Sequence, residues 1–268
     1  MIRIKLYSKI INAIYKDART IPINYQYPIS AFIYHTLHEG DPEFASWLHE
    51  HGKKLGYKSF KLFTFSSLHI KKLKVRGDRL EILNPEISLE IRFFLPEASK
   101  PFIMALFEQQ SFTIGDKKSR ADFYIERIEV LPPPDFSDTS KEYLFRALSP
   151  ICISKKQLEN GKSQTKYLHP NDDEYEQYFK QHLLTKYKAT DPEHELFSGQ
   201  LNFSLKKPGK SSLVAVKAYT PQETKIRGYR SIFSLRAPQA LLELGYYAGF
   251  GEKNAVGFGC VEYREYLS

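Results

Sequence analysis

Three consecutive prolines at residues 132–134 divide this chain of 268 residues into two parts of similar length and pattern. Proline fixes its own backbone and lacks an amide hydrogen, so the run excludes a helix or sheet interior and indicates a linker. On each side, the apolar periodicity predicts strand, helix, two strands, helix and strand. The sequence therefore predicts an α+β protein with tandem ferredoxin-like (RRM-like) β-α-β-β-α-β domains at residues 1–131 and 137–268.

Individual residues predict where several helices, strands and turns begin and end. Pro28 suits the first turn of a helix that Gly40 ends, and Asp41 followed by Pro42 begins a second short helix. In the second half, residues 225–237 are predicted as one long strand. The turn KKPGK at residues 206–210 is predicted as the solvated tip of a hairpin.

The charge and cysteine content limit the classes of partner and compartment. The 39 Lys and Arg exceed the 31 Asp and Glu by 8, and the excess is divided equally between the two halves, which is compatible with a polyanionic partner. Cys152 and Cys260 fit neither a metal-binding spacing nor a disulfide framework. The sequence has no signal peptide pattern and no stretch that could span a bilayer, so a cytoplasmic protein is predicted.

Glycines are concentrated near the C-terminus, in the segment GYYAGFGEKNAVGFG at residues 245–259. The segment follows a predicted helix and precedes a strand, whereas a dinucleotide fingerprint has the opposite order, and a P-loop is also excluded. A helix cap with a tight turn would explain part of the pattern. The remainder favours a backbone cradle for nucleic-acid phosphates, formed by Gly249, Gly251, Lys253, Asn254, Gly257 and Gly259.

The segment GFGEKNAVGFG resembles the C-terminal glycine-rich loop of the CRISPR-associated endoribonucleases that cut precursor CRISPR RNA within its repeats. These enzymes belong to the repeat-associated "mysterious protein" superfamily. The runs INYQYPISAFIYHTLHEGDPEFASWLHEHG, FKLFTFS and LSPI are also similar to family signatures. The resemblance covers both halves in the same order.

The resemblance implies metal-independent cleavage without a cofactor. In this reaction a 2′-hydroxyl attacks the adjacent phosphate and leaves a 2′,3′-cyclic phosphate and a 5′-hydroxyl. The implied partners are precursor CRISPR RNA and the subunits of an effector complex. The alternative is a non-catalytic RNA-binding subunit of such a complex, and the sequence leaves open whether the chain forms a homodimer.

The resemblance also implies the catalytic residues. The matching positions are Tyr34, His49 and Lys61, with His38 as a rival to His49 because it lies one helical turn after Tyr34. Lys53, Lys54 and Lys58 follow His49 and could also contact phosphate. A zinc site formed by the histidines of these two helices is not favoured, since both cysteines lie far away.

A second basic segment, TKIRGYRS at residues 224–231, is predicted to bind RNA. Lys225, Arg227 and Tyr229 would share one strand face, where the cations hold phosphates and the ring stacks on a base. Arg230 would lie on the other face. Together with the glycine-rich segment and the lysines after His49, this segment predicts one RNA path across both domains.

Overall fold

The computed structural model describes residues 1–12, 17–159, 161–194 and 196–264. Within these residues, no helix is long and apolar enough to cross a membrane. The last predicted strand and the second predicted domain extend beyond residue 264, and that final portion lies outside the described residues.

The strands of the N-terminal half are β1 (Ile2–Ile10), β2 (Thr20–Pro22), β3 (Lys53–Leu55), β4 (Lys58–Phe60), β5 (Phe63–Phe65), β6 (His69–Ile70), β7 (Leu73–Arg76), β8 (Arg79–Ile82), β9 (Glu86–Phe93), β10 (Ser111–Gly115) and β11 (Arg120–Val130). Its helices are α1 (Gln26–Gly40), α2 (Pro42–Glu50) and α3 (Ser99–Glu108).

The strands of the C-terminal half are β12 (Tyr143–Ala147), β13 (Ser154–Glu159), β14 (Lys162–Tyr167), β15 (Asn202–Lys207), β16 (Ser211–Val216), β17 (Thr224–Tyr229), β18 (Ile232–Arg236) and β19 (Val261–Arg264). Its helices are α4 (Tyr175–Thr190) and α5 (Gln239–Ala248).

An antiparallel sheet forms the centre of the N-terminal half, with strand order β10-β11-β1-β9-β5 and β6 also paired to β9. Alternation in β1 buries Ile4, Leu6 and Ile10 in a core that also contains Phe102 of α3. The strands β11, β1, β9 and β5 have the ferredoxin-like order. The edge strand β10 was not predicted, because its five residues directly follow a helix and give too short an alternation.

The sheet of the C-terminal half repeats this arrangement with the order β15-β18-β12-β19. Helix α4 lies between β12 and β15 in the chain, and α5 lies between β18 and β19. The predicted class of tandem ferredoxin-like folds is therefore confirmed. The hairpin of β13 and β14 is an addition that the sequence analysis did not predict.

The predicted turn at residues 206–210 and the predicted single strand at residues 225–237 were both wrong. The predicted long strand breaks at Arg230, so that β17 pairs with β16 while β18 joins the main sheet beside β15. Gly209 has a φ of +74°, and a Cβ there would lie 1.9 Å from the carbonyl oxygen of Arg230. The KKPGK segment is consequently a bend in a long two-stranded ribbon and not a hairpin tip.

The two halves are joined by the glycine-rich loop, defined here as residues 249–260, which follows α5. The hydroxyl of Thr64 in β5 donates to the carbonyl oxygen of Phe258 at 2.9 Å. A Cβ at Gly257 would lie 2.8 Å from Cγ of Gln26 in α1. The loop thus packs closely against both β5 and the start of α1.

A buried arginine adds a second connection between the halves. The guanidinium of Arg92 in β9 donates to Glu90 at 2.6 Å and to the carbonyl oxygen of Tyr246 in α5 at 3.0 Å. It also lies 3.7 Å from the centre of the Tyr246 ring. Because this buried charge has an ionic partner and a carbonyl acceptor, it ties the N-terminal sheet to α5.

We expect Gly259→Ala to destabilise the protein far more than Gly77→Ala. Both glycines have positive φ, of +81° and +58°, but a Cβ at Gly259 would lie 2.1 Å from the Phe250 oxygen, whereas Gly77 has open space. The backbone strain common to both costs about 1 kcal/mol, and the clash should bring the loss for Gly259→Ala to about 3 kcal/mol or more. Urea unfolding followed by circular dichroism measures both, and equal losses would contradict the steric explanation.

Candidate functional site

The turn between α1 and α2 brings two of the predicted catalytic residues together. The carboxylate of Asp41 accepts from the backbone N–H of Phe44 at 2.9 Å, and Pro42 occupies the first turn of α2. With α2 held beside α1, the rings of Tyr34 and His49 meet edge to face, with centroids 4.9 Å apart. This contact joins one side chain from each helix.

The Tyr34 ring is half-buried and also meets Phe63 of β5, with centroids 5.4 Å apart. Burial raises the pKa of its phenol well above the ordinary value. The hydroxyl therefore stays protonated at neutral pH and can donate a hydrogen bond, but it does not act as a phenolate base.

Lys61 completes the group. Its Nζ donates to the backbone carbonyl oxygen of His49 at 2.7 Å, so the ammonium lies beside the helix turn that carries the imidazole. Burial, followed by the nearby charge of Lys54, lowers the pKa of Lys61. Tyr34, His49 and Lys61 are thus neighbours in space, as their predicted common role requires.

His38 has different surroundings from His49. It is exposed in the last turn of α1, and in the described part of the chain no ring contact or hydrogen bond joins it to Tyr34. His51 contacts Lys54 instead, with Nδ1 and Nζ 3.2 Å apart. Among the described residues, no three His, Cys, Asp or Glu side chains are grouped as metal ligands would be.

A cleft of about 630 Å³ separates the two halves beside Lys61. Its walls come from the β3–β4 hairpin, from β13, from α4 and from the glycine-rich loop. The lysines that line it are Lys58, Lys61, Lys155, Lys156, Lys186 and Lys253. Glu252 is the one carboxylate among the described lining residues, and Lys155 is also paired with Glu174. Cationic side chains still outnumber the carboxylates, which suits a polyanion.

The sequence analysis missed half of these lysines. Lys155 and Lys156 lie on the β13–β14 hairpin, whose two strands pair from Ser154 with Tyr167 onwards. The available signal was the Asn-Gly pair at residues 160–161, which is typical of a two-residue hairpin turn. Lys186 was part of a predicted helix and gave no sign of facing the cleft.

Lys186 holds the glycine-rich loop in place. Only 2% of this residue is exposed. Its ammonium donates to the carbonyl oxygen of Gly249, to that of Gly251 at 3.3 Å, and to Oδ1 of Asn254 at 2.7 Å. Three oxygens of the loop therefore converge on one side chain of α4.

The glycines of this loop allow close packing inside the protein. Gly249, Gly251, Gly257 and Gly259 are buried, and all four have positive φ. The N–H of Gly257 donates to the Asn254 oxygen at 3.1 Å, and that of Gly259 donates to the Pro150 oxygen at 2.8 Å. The predicted phosphate cradle therefore needs correction at Gly257 and Gly259, whose backbone donors are used internally, whereas the role of Gly249 and Gly251 stays a prediction.

The polar residues of the loop have separate surroundings. Asn254 is half-buried and its amide donates to the carbonyl oxygens of Phe250 and Phe258, at 3.0 and 3.1 Å. Lys253 is exposed and lines the cleft. Of the loop residues predicted to bind RNA, Lys253 thus remains placed for contact with phosphate.

The basic segment in β17 is divided by the bend in the ribbon. Lys225 and Arg227 are exposed, as a phosphate-binding face requires. Tyr229 is only 7% exposed, and its ring packs against His169 with centroids 4.7 Å apart. The prediction that Tyr229 stacks on a base was wrong, because the strand ends there and its ring joins the interior.

Arg230 connects the two halves. Its guanidinium donates to the Leu148 oxygen at 3.1 Å and to the Ser67 hydroxyl at 2.8 Å. These bonds give Arg230 an interdomain role, and because the residue is also exposed, its contact with RNA stays a prediction. The β17 segment does not line the cleft in the described residues, so a path across both domains would have to leave the cleft to reach it.

A buried histidine lies on the opposite wall of the cleft from Lys61. Nε2 of His182 is 3.6 Å from Oε1 of Glu252 and 3.3 Å from the backbone oxygen of Ser154. Burial lowers the pKa of His182, and the Glu252 carboxylate opposes this effect. Sequence reasoning did not single out His182, because one histidine within a predicted helix carries no motif.

Each half of the chain matches the profile of a known protein family. Residues 20–129 match the profile described as CRISPR-associated protein Cas6, N-terminal. Residues 131–263 match the profile described as CRISPR associated protein Cas6, C-terminal. The two profiles together cover most of the chain.

Curated relatives and solved structures give the same result. The chain is 28% identical over 248 residues to the CRISPR-associated endoribonuclease Cas6 1 of Methanocaldococcus jannaschii, covering 90% of this chain and 86% of that protein. It is 26% identical to the CRISPR-associated endoribonuclease Cas6 of Pyrococcus furiosus, covering 90% and 83%. A structure described as a Cas6-related protein of Pyrococcus furiosus superposes with a TM-score of 0.82 at 25% identity, over 99% of both chains. A second, described as CRISPR associated protein Cas6, has a TM-score of 0.72 at 26% identity, covering 98% and 99%.

We expect the pH dependence of stability to report on Lys186. Burial lowers the pKa of its ammonium from 10.5 to about 7, so between these values the unfolded chain binds a proton that the folded chain does not. The free energy of unfolding should therefore rise with pH in this window, by at most about 1.4 kcal/mol per pH unit. Urea unfolding between about pH 7 and pH 9 should show the rise in the wild type and not in Lys186→Met. The same rise in both proteins would contradict the assignment.

Proposed function

The chain belongs to the Cas6 family of CRISPR-associated proteins, and from that premise we propose that it is an endoribonuclease that cuts precursor CRISPR RNA within its repeats. The observation that carries the proposal is the cluster of Tyr34, His49 and Lys61 beside a lysine-lined cleft. The curated relatives that carry the name endoribonuclease support it.

The proposed reaction is a transesterification within the RNA. The 2′-hydroxyl loses its proton and attacks the adjacent phosphorus, and the bond from phosphorus to the 5′-oxygen breaks. The products are a 2′,3′-cyclic phosphate and a 5′-hydroxyl. Because the RNA supplies the nucleophile, positioning and proton transfer by side chains suffice, and we propose a metal-independent mechanism.

Each residue of the cluster has a role that follows from its chemistry. Imidazole exchanges protons near neutral pH, so His49 takes the proton of the 2′-hydroxyl and returns one to the 5′-oxygen. Lys61 neutralises the charge that develops on the phosphorane. The neutral phenol of Tyr34, kept protonated by burial, donates a hydrogen bond to the phosphate or the 2′-hydroxyl.

The lysines of the cleft would bind the RNA backbone on either side of the cut. Lys58 and Lys61 come from the N-terminal half, whereas Lys155, Lys156 and Lys253 come from the C-terminal half. RNA in the cleft would therefore contact both halves, and its affinity should decrease with salt as counterions are released. The partners we propose are the precursor RNA and, for the product, the subunits of an effector complex.

The second candidate is an RNA-binding subunit that does not cut. The basic cleft supports it independently of the cluster, because the lysines from β13 and the glycine-rich loop would hold RNA without any proton transfer. In the described residues, moreover, no side-chain hydrogen bond orients the imidazole of His49. The two candidates differ in one property, which is cleavage of bound RNA.

We expect His49→Ala to abolish cleavage of a 5′-labelled repeat RNA in excess EDTA, with a loss of at least about 10²-fold. His38→Ala is the matched control, since His38 is exposed on the neighbouring helix and should leave the rate unchanged. A repeat with a 2′-deoxy nucleotide at the cut should resist the wild type. Equal activity of His49→Ala and wild type would move the role to His38. Tight binding without cleavage by the wild type would favour the non-cutting subunit.

We expect Tyr34→Phe to slow cleavage by about 10²-fold with little effect on RNA affinity. The substitution keeps the ring contacts with His49 and Phe63 and removes only the hydroxyl. Single-turnover rates with saturating enzyme and equilibrium binding of the 2′-deoxy repeat separate the two effects. An unchanged rate would show that Tyr34 contributes packing alone.

A further inference from the structure

The β3–β4 hairpin presents a tyrosine, Tyr57, to solvent. Leu55 pairs with Lys58, which leaves Gly56 and Tyr57 as the turn. Tyr57 is 95% exposed, and in the described part of the chain its ring has no aromatic or cationic partner. Burying an aromatic ring is strongly favourable, so a ring held almost wholly in solvent suits a contact with a ligand.

The hairpin is anchored to the helix that carries His49. The hydroxyl of Ser59 donates to the backbone oxygen of His51, and Nζ of Lys61 donates to that of His49 at 2.7 Å. At the hairpin's start, a Cβ on Gly52 would lie 2.5 Å from the Phe60 oxygen, so its two ends are closely packed. The position of the tip is thus fixed relative to the imidazole.

The tip also faces the C-terminal half. Tyr57 and Lys58 line the cleft together with Tyr178 of α4 and Lys155 and Lys156 of β13. One ring from each half therefore borders a basic groove. A groove with both aromatic rings and cations suits single-stranded RNA, since bases stack on the rings while lysines bind the phosphates.

We infer that Tyr57 stacks on one unpaired base of the RNA in the cleft and thereby determines which phosphate reaches His49. Tyr57 is a positioning residue, because it acts on the substrate's register and takes no part in proton transfer. The inference rests on the proposed function. It adds a residue that binds a base, whereas the catalytic cluster and the lysines act on the phosphate and sugar.

The test uses the full chain and the CRISPR repeat RNA of its own genome, in cleavable and 2′-deoxy forms. We expect Tyr57→Ala to bind the 2′-deoxy RNA about tenfold more weakly and to cut the cleavable RNA at additional phosphates. Tyr57→Phe retains the ring and should behave as the wild type. The matched control is Tyr124→Ala, which removes another exposed tyrosine, on β11 and outside the described lining of the cleft.

The outcomes separate this inference from the proposed function. Normal affinity and a single cut site in Tyr57→Ala would overturn the inference while the nuclease stands. An equal loss in Tyr124→Ala, or a loss in Tyr57→Phe as large as in Tyr57→Ala, would also overturn it. If the wild type does not cut but Tyr57→Ala still weakens binding, the stacking contact stands and the nuclease proposal fails together with the role in register.

Discussion

The ammonium of Lys186 is the contact on which the arrangement of the two halves depends. It lies inside the C-terminal half and binds three oxygens of the glycine-rich loop. That loop in turn packs on β5 and α1 of the N-terminal half, through Thr64 and Gln26. A buried cation is costly, so burial lowers the pKa of Lys186 to about 7 even though three loop oxygens accept hydrogen bonds from it. Five residues of the loop have positive φ, and four of them are glycines, which adopt this conformation without strain inside a packed interface.

The packing of the glycine-rich loop against the N-terminal half also forms the cleft. With the loop fixed, Lys253 faces the β3–β4 hairpin across a gap that α4 and β13 close from the other side. Lysines from distant parts of the chain therefore share one space, and their mutual repulsion is offset by Glu252 and by solvent. A polyanion in the cleft would relieve that repulsion further, so the same geometry that joins the halves also favours a polyanionic ligand.

The candidate active site is formed by one short stretch of the chain, whereas the cleft is formed by segments from both halves. Tyr34 and His49 are brought together by a local turn, in which Asp41 caps α2, and Lys61 follows on the same stretch of chain. Sequence motifs detect such sites because the residues are close in sequence. The surroundings of Tyr229 and Arg230 were not predicted, for the opposite reason. Their surroundings are His169, Leu148 and Ser67, which no local pattern connects to them.

Periodicity and contacts between near neighbours can be read from the sequence, which is why it predicted the two β-α-β-β-α-β units and the helix boundaries around Asp41. The assignment of Tyr34, His49 and Lys61 as catalytic residues came from the resemblance to a known family and stays a prediction. Packing between distant segments determines which donors of the glycine-rich loop are available, where the ribbon bends, and which lysines share the cleft, and no local pattern predicted these features. Backbone donors are either exposed or satisfied according to what packs against them, as the bond from Gly259 to Pro150 illustrates. The sequence shows how many lysines the chain has, whereas the packing of distant segments determines which of these lysines lie close together.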